Sequence, residues 1–200
     1  MARPREFDRE TALDAAIGVF REQGFEGAST SDLTRAMQIG RQSLYDTFGD
    51  KWALYQAALT RYSSQESAGH EMALSTGPRA LDGLEILLAR VRANAAQACL
   101  GVGSVCEFGR RAPELTAINE AAGRRLHAAI TARVREAQDE GDVAADLDAD
   151  EAAAFLAANI AAIRIAARGG AGAVQLQVLA ELSLRALRSG AQQERGAGGV

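Results

Sequence analysis

Apolar residues recur along this chain at intervals of three and four rather than two, which predicts helices throughout. Leu13, Ala16, Ile17 and Phe20 form the first stripe, in a helix that opens at Phe7 and Asp8 and closes at Gly24. Phe25 is then free to fold back onto the same small core. Leu33 and Met37 stand four apart with Ala36 beside them, and after Gly40 the interval repeats at Leu44 and Phe48. Ser29 occupies an N-cap position, and Asp32 three residues later completes a capping box. Gly49 stops the second short helix, and Asp50 caps a longer one opening at Lys51 and reaching Ser64 or beyond. Three helices with one narrow apolar stripe each can pack into a small domain.

The rest of the chain keeps the same period. Ser75-Thr76-Gly77-Pro78 marks a break, and Leu81, Leu84, Leu87, Leu88 and Val91 line one side of the helix after it. Gly101-Val102-Gly103 predicts a loosened stretch before a short helix over 104–109, with Cys99 at the end of the preceding helix. Pro113 suits the first turn of a helix over about 113–140, ended by Gly141. Asp148, with Glu151 three residues on, caps a helix whose face is Phe155, Leu156, Ile160 and Ile163. A last helix, about 173–187, carries Leu176, Leu179, Leu182 and Leu187. These last two helices are apolar on more than one side, and Ala153, Ala157, Ala161 and Ala162 permit close approach. They are expected to pair with their copies in a second chain as an isologous four-helix bundle, unless helices five to seven cover them internally. Residues 190–200, rich in Gly, Gln and Ala, read as a disordered tail.

The polar positions point to a function. The exposed face of the helix over 41–48 carries Arg41, Gln42, Ser43, Tyr45 and Thr47, with the chain's one lysine, Lys51, just beyond. These side chains suit phosphates and base edges, so the segment reads as a helix-turn-helix docking into the major groove of DNA. Net charge is −4, which does not mark a nonspecific DNA coat. From residue 29 to 51 the bases Arg35, Arg41 and Lys51 are balanced by Asp32, Asp46 and Asp50. The electrostatic case therefore rests on placement: a basic arm at Arg3 and Arg5, then Arg41, Lys51 and helix N-termini. The charged N-terminus is no signal peptide, and the longest apolar run, 152–167, is interrupted by Asn159 and Arg164. A cytoplasmic protein with no membrane partner is expected.

The first third of the chain resembles the DNA-binding domain of the TetR (tetracycline repressor) family. The resemblance is carried by Phe20 to Phe25 (FREQGF), Ser29-Thr30, Leu33, Ala36 and the string Leu44-Tyr45-x-x-Phe48-x-x-Lys51. It implies an all-α fold: an N-terminal three-helix helix-turn-helix domain plus a C-terminal helical ligand-binding and dimerisation domain. The expected division is 1–50, 51–189 and the tail. It also implies a homodimeric repressor that holds a palindromic double-stranded operator and is released by a small-molecule effector. DNA contacts are expected from Thr30, Ser31, Arg41, Gln42, Ser43, Tyr45, Thr47 and Lys51. In such a mechanism the effector shifts the population toward a form in which the helix after the reader has swung. Apolar residues expected to line its pocket are Met72, Leu84, Leu88, Val91, Phe108, Ile118 and Phe155.

Two positions depart from the family pattern. Gln38 stands where glycine is common in the turn, with Gly40 two residues later; a glutamine at positive φ would be mildly strained, so the turn is expected to differ slightly from the family's. Asp46 would be repelled by phosphate, and so either faces an arginine or reads a cytosine amino group.

Rival chemistry finds little support. Cys99 and Cys106, if on one helix, would lie about 10 Å apart, too far for a disulfide. Cys99 resembles a reactive position of electrophile-responsive family members and is a candidate redox residue; the alternative is a small buried apolar side chain. His70 and His127 lack partners at metal spacing, so neither metal nor cofactor is expected. Glu107, Arg110 and Arg111 beside Phe108 read as surface ion pairing before an anion site. No nucleophile elbow, phosphate loop or dinucleotide fingerprint occurs. The alternative to a regulator is a helical enzyme or adaptor with a vestigial helix-turn-helix.

Overall fold

The structure is a computed structural model that describes residues 7–188. The arm at Arg3 and Arg5 and the tail from 190 lie outside the described residues. Among these, nine helices form: α1 (Arg9–Gly27), α2 (Thr30–Met37), α3 (Arg41–Phe48), α4 (Lys51–Leu74), α5 (Ala80–Ala93), α6 (Leu100–Phe108), α7 (Pro113–Asp139), α8 (Ala149–Arg168) and α9 (Ala173–Arg185). The described residues form no strand, only an isolated antiparallel bridge between Val143 and Arg188.

The chain divides into two compact units. The first comprises everything up to Gln65 together with Ala98–Asn119; the second comprises Glu66–Gln97 and the chain from Glu120 onward. The first unit therefore continues past residue 50, taking in the start of α4, all of α6 and the start of α7.

In the first unit, Ala16, Phe20, Leu33, Leu44, Leu54 and Leu59 are buried together, and each comes from the 3.6-residue stripe of its own helix. Asp8 caps α1, accepting from the N–H of Glu10 at 3.1 Å. α1 breaks at Gly24, whose φ of 71° and ψ of −177° favour a residue without Cβ. That break returns Phe25 to the core, as its position in the sequence suggests.

The stretch around Gly101 and Gly103 is helical, contrary to the loosening expected from two glycines, and α6 begins at Leu100. Burial of Leu100 anchors that turn, and Cys99 is the N-cap, its Sγ accepting from the N–H of Val102 at 3.5 Å. Packing and a cap outweigh about 1 kcal/mol of glycine propensity per residue. Cys99 thus starts α6 rather than ending α5, which stops at Ala93.

In the second unit, Leu84, Leu87, Val91, Ile130, Val134, Ala153 and Ile163 are fully buried. A charged network lies among the helices. Glu66 accepts from Arg90 at 2.9 Å and also from Arg164, whose side chain is only 5% exposed. Nδ1 of His70 sits 3.2 Å from Arg90. Arg90 lies so close over Gly69 that a Cβ there would overlap the guanidinium. Burial, against the opposing pull of Glu66, drops His70 to about 4, so the ring is neutral near pH 7. Burial pushes Glu66 up, but Arg90 and Arg164 outweigh it and hold the carboxyl below its usual range.

One face of α8 and α9 stays apolar and uncovered: Phe155, Ile165, Val174, Val178 and Leu182 are each at least 44% exposed. No described helix is long and apolar enough to cross a membrane.

Candidate nucleic-acid interface

The helix-turn-helix segment is set by two short helices and the turn between them. Ser29 caps α2, accepting from the Asp32 N–H at 3.0 Å and donating its hydroxyl to Asp32 Oδ2 at 2.6 Å. The Ser29 hydroxyl, then Arg35, hold the Asp32 carboxyl below its ordinary value. α2 ends on Gln38, the one non-glycine residue with positive φ (56°) among the described residues. Its N–H and that of Ile39 return to the carbonyls of Arg35 and Thr34. α3 then starts after Gly40, with Leu44 and Phe48 buried beneath it. Asp50 accepts from the Ala53 N–H at 2.7 Å and caps α4.

With Leu44 and Phe48 fixed inward, the opposite face of α3 is fixed outward. Arg41, Gln42 and Thr47 are exposed, and Ser43 and Tyr45 half-buried. Ser31 is exposed at the start of α2 and Thr30 half-buried beside it. The Arg41 guanidinium lies 5.7 Å from the Tyr45 ring centroid. Hydrogen bonds from Arg41 and then Thr30 lower the Tyr45 phenol below its ordinary value, joining α2 to α3 at the surface. Lys51 Nζ sits 4.4 Å above the Phe25 ring.

Asp46 has a partner that neither sequence alternative supplied. It accepts from the Gln42 amide at 2.7 Å, one helical turn back. One carboxylate oxygen is thereby tied to the neighbouring glutamine rather than to an arginine.

A second feature was hidden because it spans more than 80 residues of sequence. Glu107 on α6 accepts from the backbone N–H groups of Phe25 and Glu26, both at 2.9 Å. These donors are orphaned where α1 breaks at Gly24. Phe108 follows in the same turn and packs edge-on against Phe25 and Trp52, with centroids 5.7 and 5.4 Å away. Burial pushes Tyr55, part of the same ring cluster, up to about 12. Arg111 hydrogen-bonds the carbonyls of Glu107 and Phe108, so this charged group braces its own helix end.

The residues expected around an effector are dispersed. Leu84, Leu88 and Val91 belong to the core of the second unit, and Phe108 and Ile118 pack against that of the first. Met72 is 72% exposed and Phe155 44%. Phe108 borders a cavity of about 660 Å³ with Trp52, and Leu88 one of about 550 Å³ with Arg92. Cys99 is half-buried and Cys106 exposed, both free thiols. Among the described residues, no group of three or more His, Cys, Asp or Glu side chains could hold a metal ion.

Residues 12–58 match the family model for bacterial regulatory proteins of the tetR family, and residues 80–170 that for a tetracyclin repressor-like C-terminal domain. The chain is 31% identical over 193 residues to the uncharacterized HTH-type transcriptional regulator YezE of Bacillus subtilis (strain 168), covering 94% of this chain and all of that protein. The chain belongs to the TetR family. It is a helix-turn-helix DNA-binding transcriptional regulator, and its curated relatives are regulators, not enzymes. The HTH-type transcriptional repressor ComR of Escherichia coli (strain K12) is 40% identical over 72 residues, 36% of this chain and 34% of that one. Among solved structures, a cysteine mutant of the TetR family regulator CifR, complexed with 26 bp double-strand operator DNA, matches with a TM-score of 0.80. That match has 33% identity over 92% of this chain and 99% of that one.

Proposed function

We propose that this TetR-family protein is a homodimeric, ligand-responsive repressor that acts in the cytoplasm on a palindromic operator. The observation that carries the reading is the outward row of Arg41, Gln42 and Thr47 on a helix held by Leu44 and Phe48. In this reading Arg41 and Gln42 read base edges, and Thr30, Ser31, Ser43, Tyr45, Thr47 and Lys51 engage the backbone. The similarity to CifR, solved with operator DNA, supports it.

Dimerisation rests on the uncovered face of α8 and α9. Val174, Val178 and Leu182 repeat every four residues, and Phe155 and Ile165 are likewise exposed on α8. A second copy of the same face buries this surface by two-fold symmetry. The two recognition helices of the dimer then enter successive major grooves about 34 Å apart. The effector binds in the second unit and favours a form in which α4 has shifted and that spacing is lost. Leu84, Leu88 and Val91 remain pocket candidates if core side chains part on binding; Cys99, which belongs to the first unit, is a separate candidate redox residue.

Selection of the full chain against a pool of random duplexes tests the proposal. Enriched sequences should be inverted repeats whose half-sites are about one helical turn apart. Enrichment of direct repeats, or of no sequence, would overturn it.

A further inference from the structure

A cavity of about 430 Å³ opens in the second unit, walled by Ala89 and Ala93 of α5, Ala167 of α8, Ala171, and Leu176 of α9. Its volume lies within the range of small-molecule sites. Its polar contributions are few and have one sign. The Arg92 side chain lines the cavity, and its Nε is buried without a hydrogen-bond partner. A buried donor with no acceptor is costly, so the site is chemically incomplete. Several other guanidiniums of this unit have carboxylates: Arg90 and Arg164 share Glu66, Arg125 takes Glu71, and Arg135 takes Asp150. The Nε atoms of Arg133 and Arg188 likewise make no hydrogen bond, but those two side chains pair with Glu136 and Glu85 through their other nitrogens. The acids bordering the adjoining cavity are also engaged, Glu85 by Arg188 at 2.8 Å and Glu181 by Gln177. Among the described residues, no carboxylate lines the alanine-walled cavity itself.

The same cavity receives the start of α9. Ala173, the first residue of that helix, lines it, and Gly172 at the N-cap supplies no side-chain acceptor. A helix N-terminus favours negative charge, so it adds to the pull of Arg92. Small apolar walls, one unpartnered guanidinium and a positive helix end are complementary to a molecule with an apolar body and a single anionic head.

We propose that this cavity binds an amphipathic carboxylate, its head on the Arg92 guanidinium beside the start of α9 and its apolar body against the alanine walls. A planar carboxylate matches the guanidinium fork. Its regulatory meaning rests on the reading of the second unit as effector-binding.

Calorimetric titration of the full chain with octanoate tests the site without DNA. Saturable binding is expected, about tenfold or more weaker in Arg92→Met, which keeps the stem but loses the charge. Octan-1-ol should bind the Arg92→Met protein as it binds the unaltered one, which also reports that the variant is folded. Ala171→Phe, which fills the cavity, should abolish binding of both. Absence of octanoate binding, binding unchanged by either substitution, or equal loss of octanol and octanoate in Arg92→Met would overturn the proposal. A parallel operator titration separates the two readings. If octanoate binds through Arg92 yet leaves operator affinity unchanged, the site stands and the effector reading of this unit falls.

Discussion

At position 46 a carboxylate stands on the exposed side of α3, the face proposed to meet DNA, and it accepts a hydrogen bond from Gln42. It spends charge attraction on orientation. Asp46→Ala should therefore raise affinity for every duplex while narrowing the ratio between the cognate operator and a single-base variant, read by fluorescence anisotropy. Gln42→Ala should change base preference by about 1–3 kcal/mol at the contacted pair. A ratio unchanged by Asp46→Ala would show that the aspartate does not position the glutamine. The turn was expected to differ from the glycine form because of Gln38, yet the glutamine itself takes the left-handed conformation, with a φ of 56°. Gln38→Val should cost about 1–2 kcal/mol in thermal unfolding, and Gln38→Asn little, because asparagine tolerates this region and a β-branched residue does not. His70 titrates at about 4 in the folded protein against an ordinary value near 6.5. The unfolded chain then binds the proton more readily, so stability contributed by the neutral ring is full above about pH 6.5 and is lost as pH falls toward 4. His70→Gln should flatten the urea-midpoint slope between those pH values; an unaltered slope would assign the acid sensitivity elsewhere.

Helices, taken one at a time, were largely written in the sequence, because each carries its own 3.6-residue stripe and its own cap. Ser29, Asp50 and Asp148 all cap where their residue types suggest. α6 was misread because local propensity counts Gly101 and Gly103 but not the burial of Leu100 or the Cys99 cap. The role of α6 was invisible for a different reason. Glu107 satisfies donors on α1 that lie 81 and 82 positions earlier, and no local pattern announces so distant a partner. Glu107→Ala should destabilise the protein by about 1–3 kcal/mol, since it leaves two backbone N–H groups without their acceptor. Glu114→Ala, on an exposed neighbour, should stay within about 0.5 kcal/mol. Equal effects in chemical denaturation would remove Glu107 from its bracing role.

For the molecule as a whole, net charge and local charge differ: the chain carries −4 overall, yet the exposed side of α3 presents Arg41 with Gln42, Asp46 and Thr47. The domain boundary was also harder to see than the helices: α4 contributes Lys51–Gln65 to one unit and its remainder to the other, so no composition shift marks the division. The apolar surplus of the last two helices, by contrast, was plain from their residues, and its uncovered part is the face assigned to a second copy. Leu182→Asp combined with Val178→Asp should yield monomers in sedimentation at micromolar concentration and lower affinity for a two-half-site operator more than for a single half-site. A dimer that survives both charges would place the interface elsewhere.

The central claim is that α3 reads DNA while Lys51 neutralises phosphate. The most direct test is the salt dependence of binding between the full chain and the duplex flanking its own gene. The logarithm of affinity should fall linearly with the logarithm of salt concentration, by about 0.9 per phosphate neutralised, and Lys51→Ala should flatten that slope by about one unit. A slope and affinity untouched by Lys51→Ala and by Arg41→Ala alike would contradict the account.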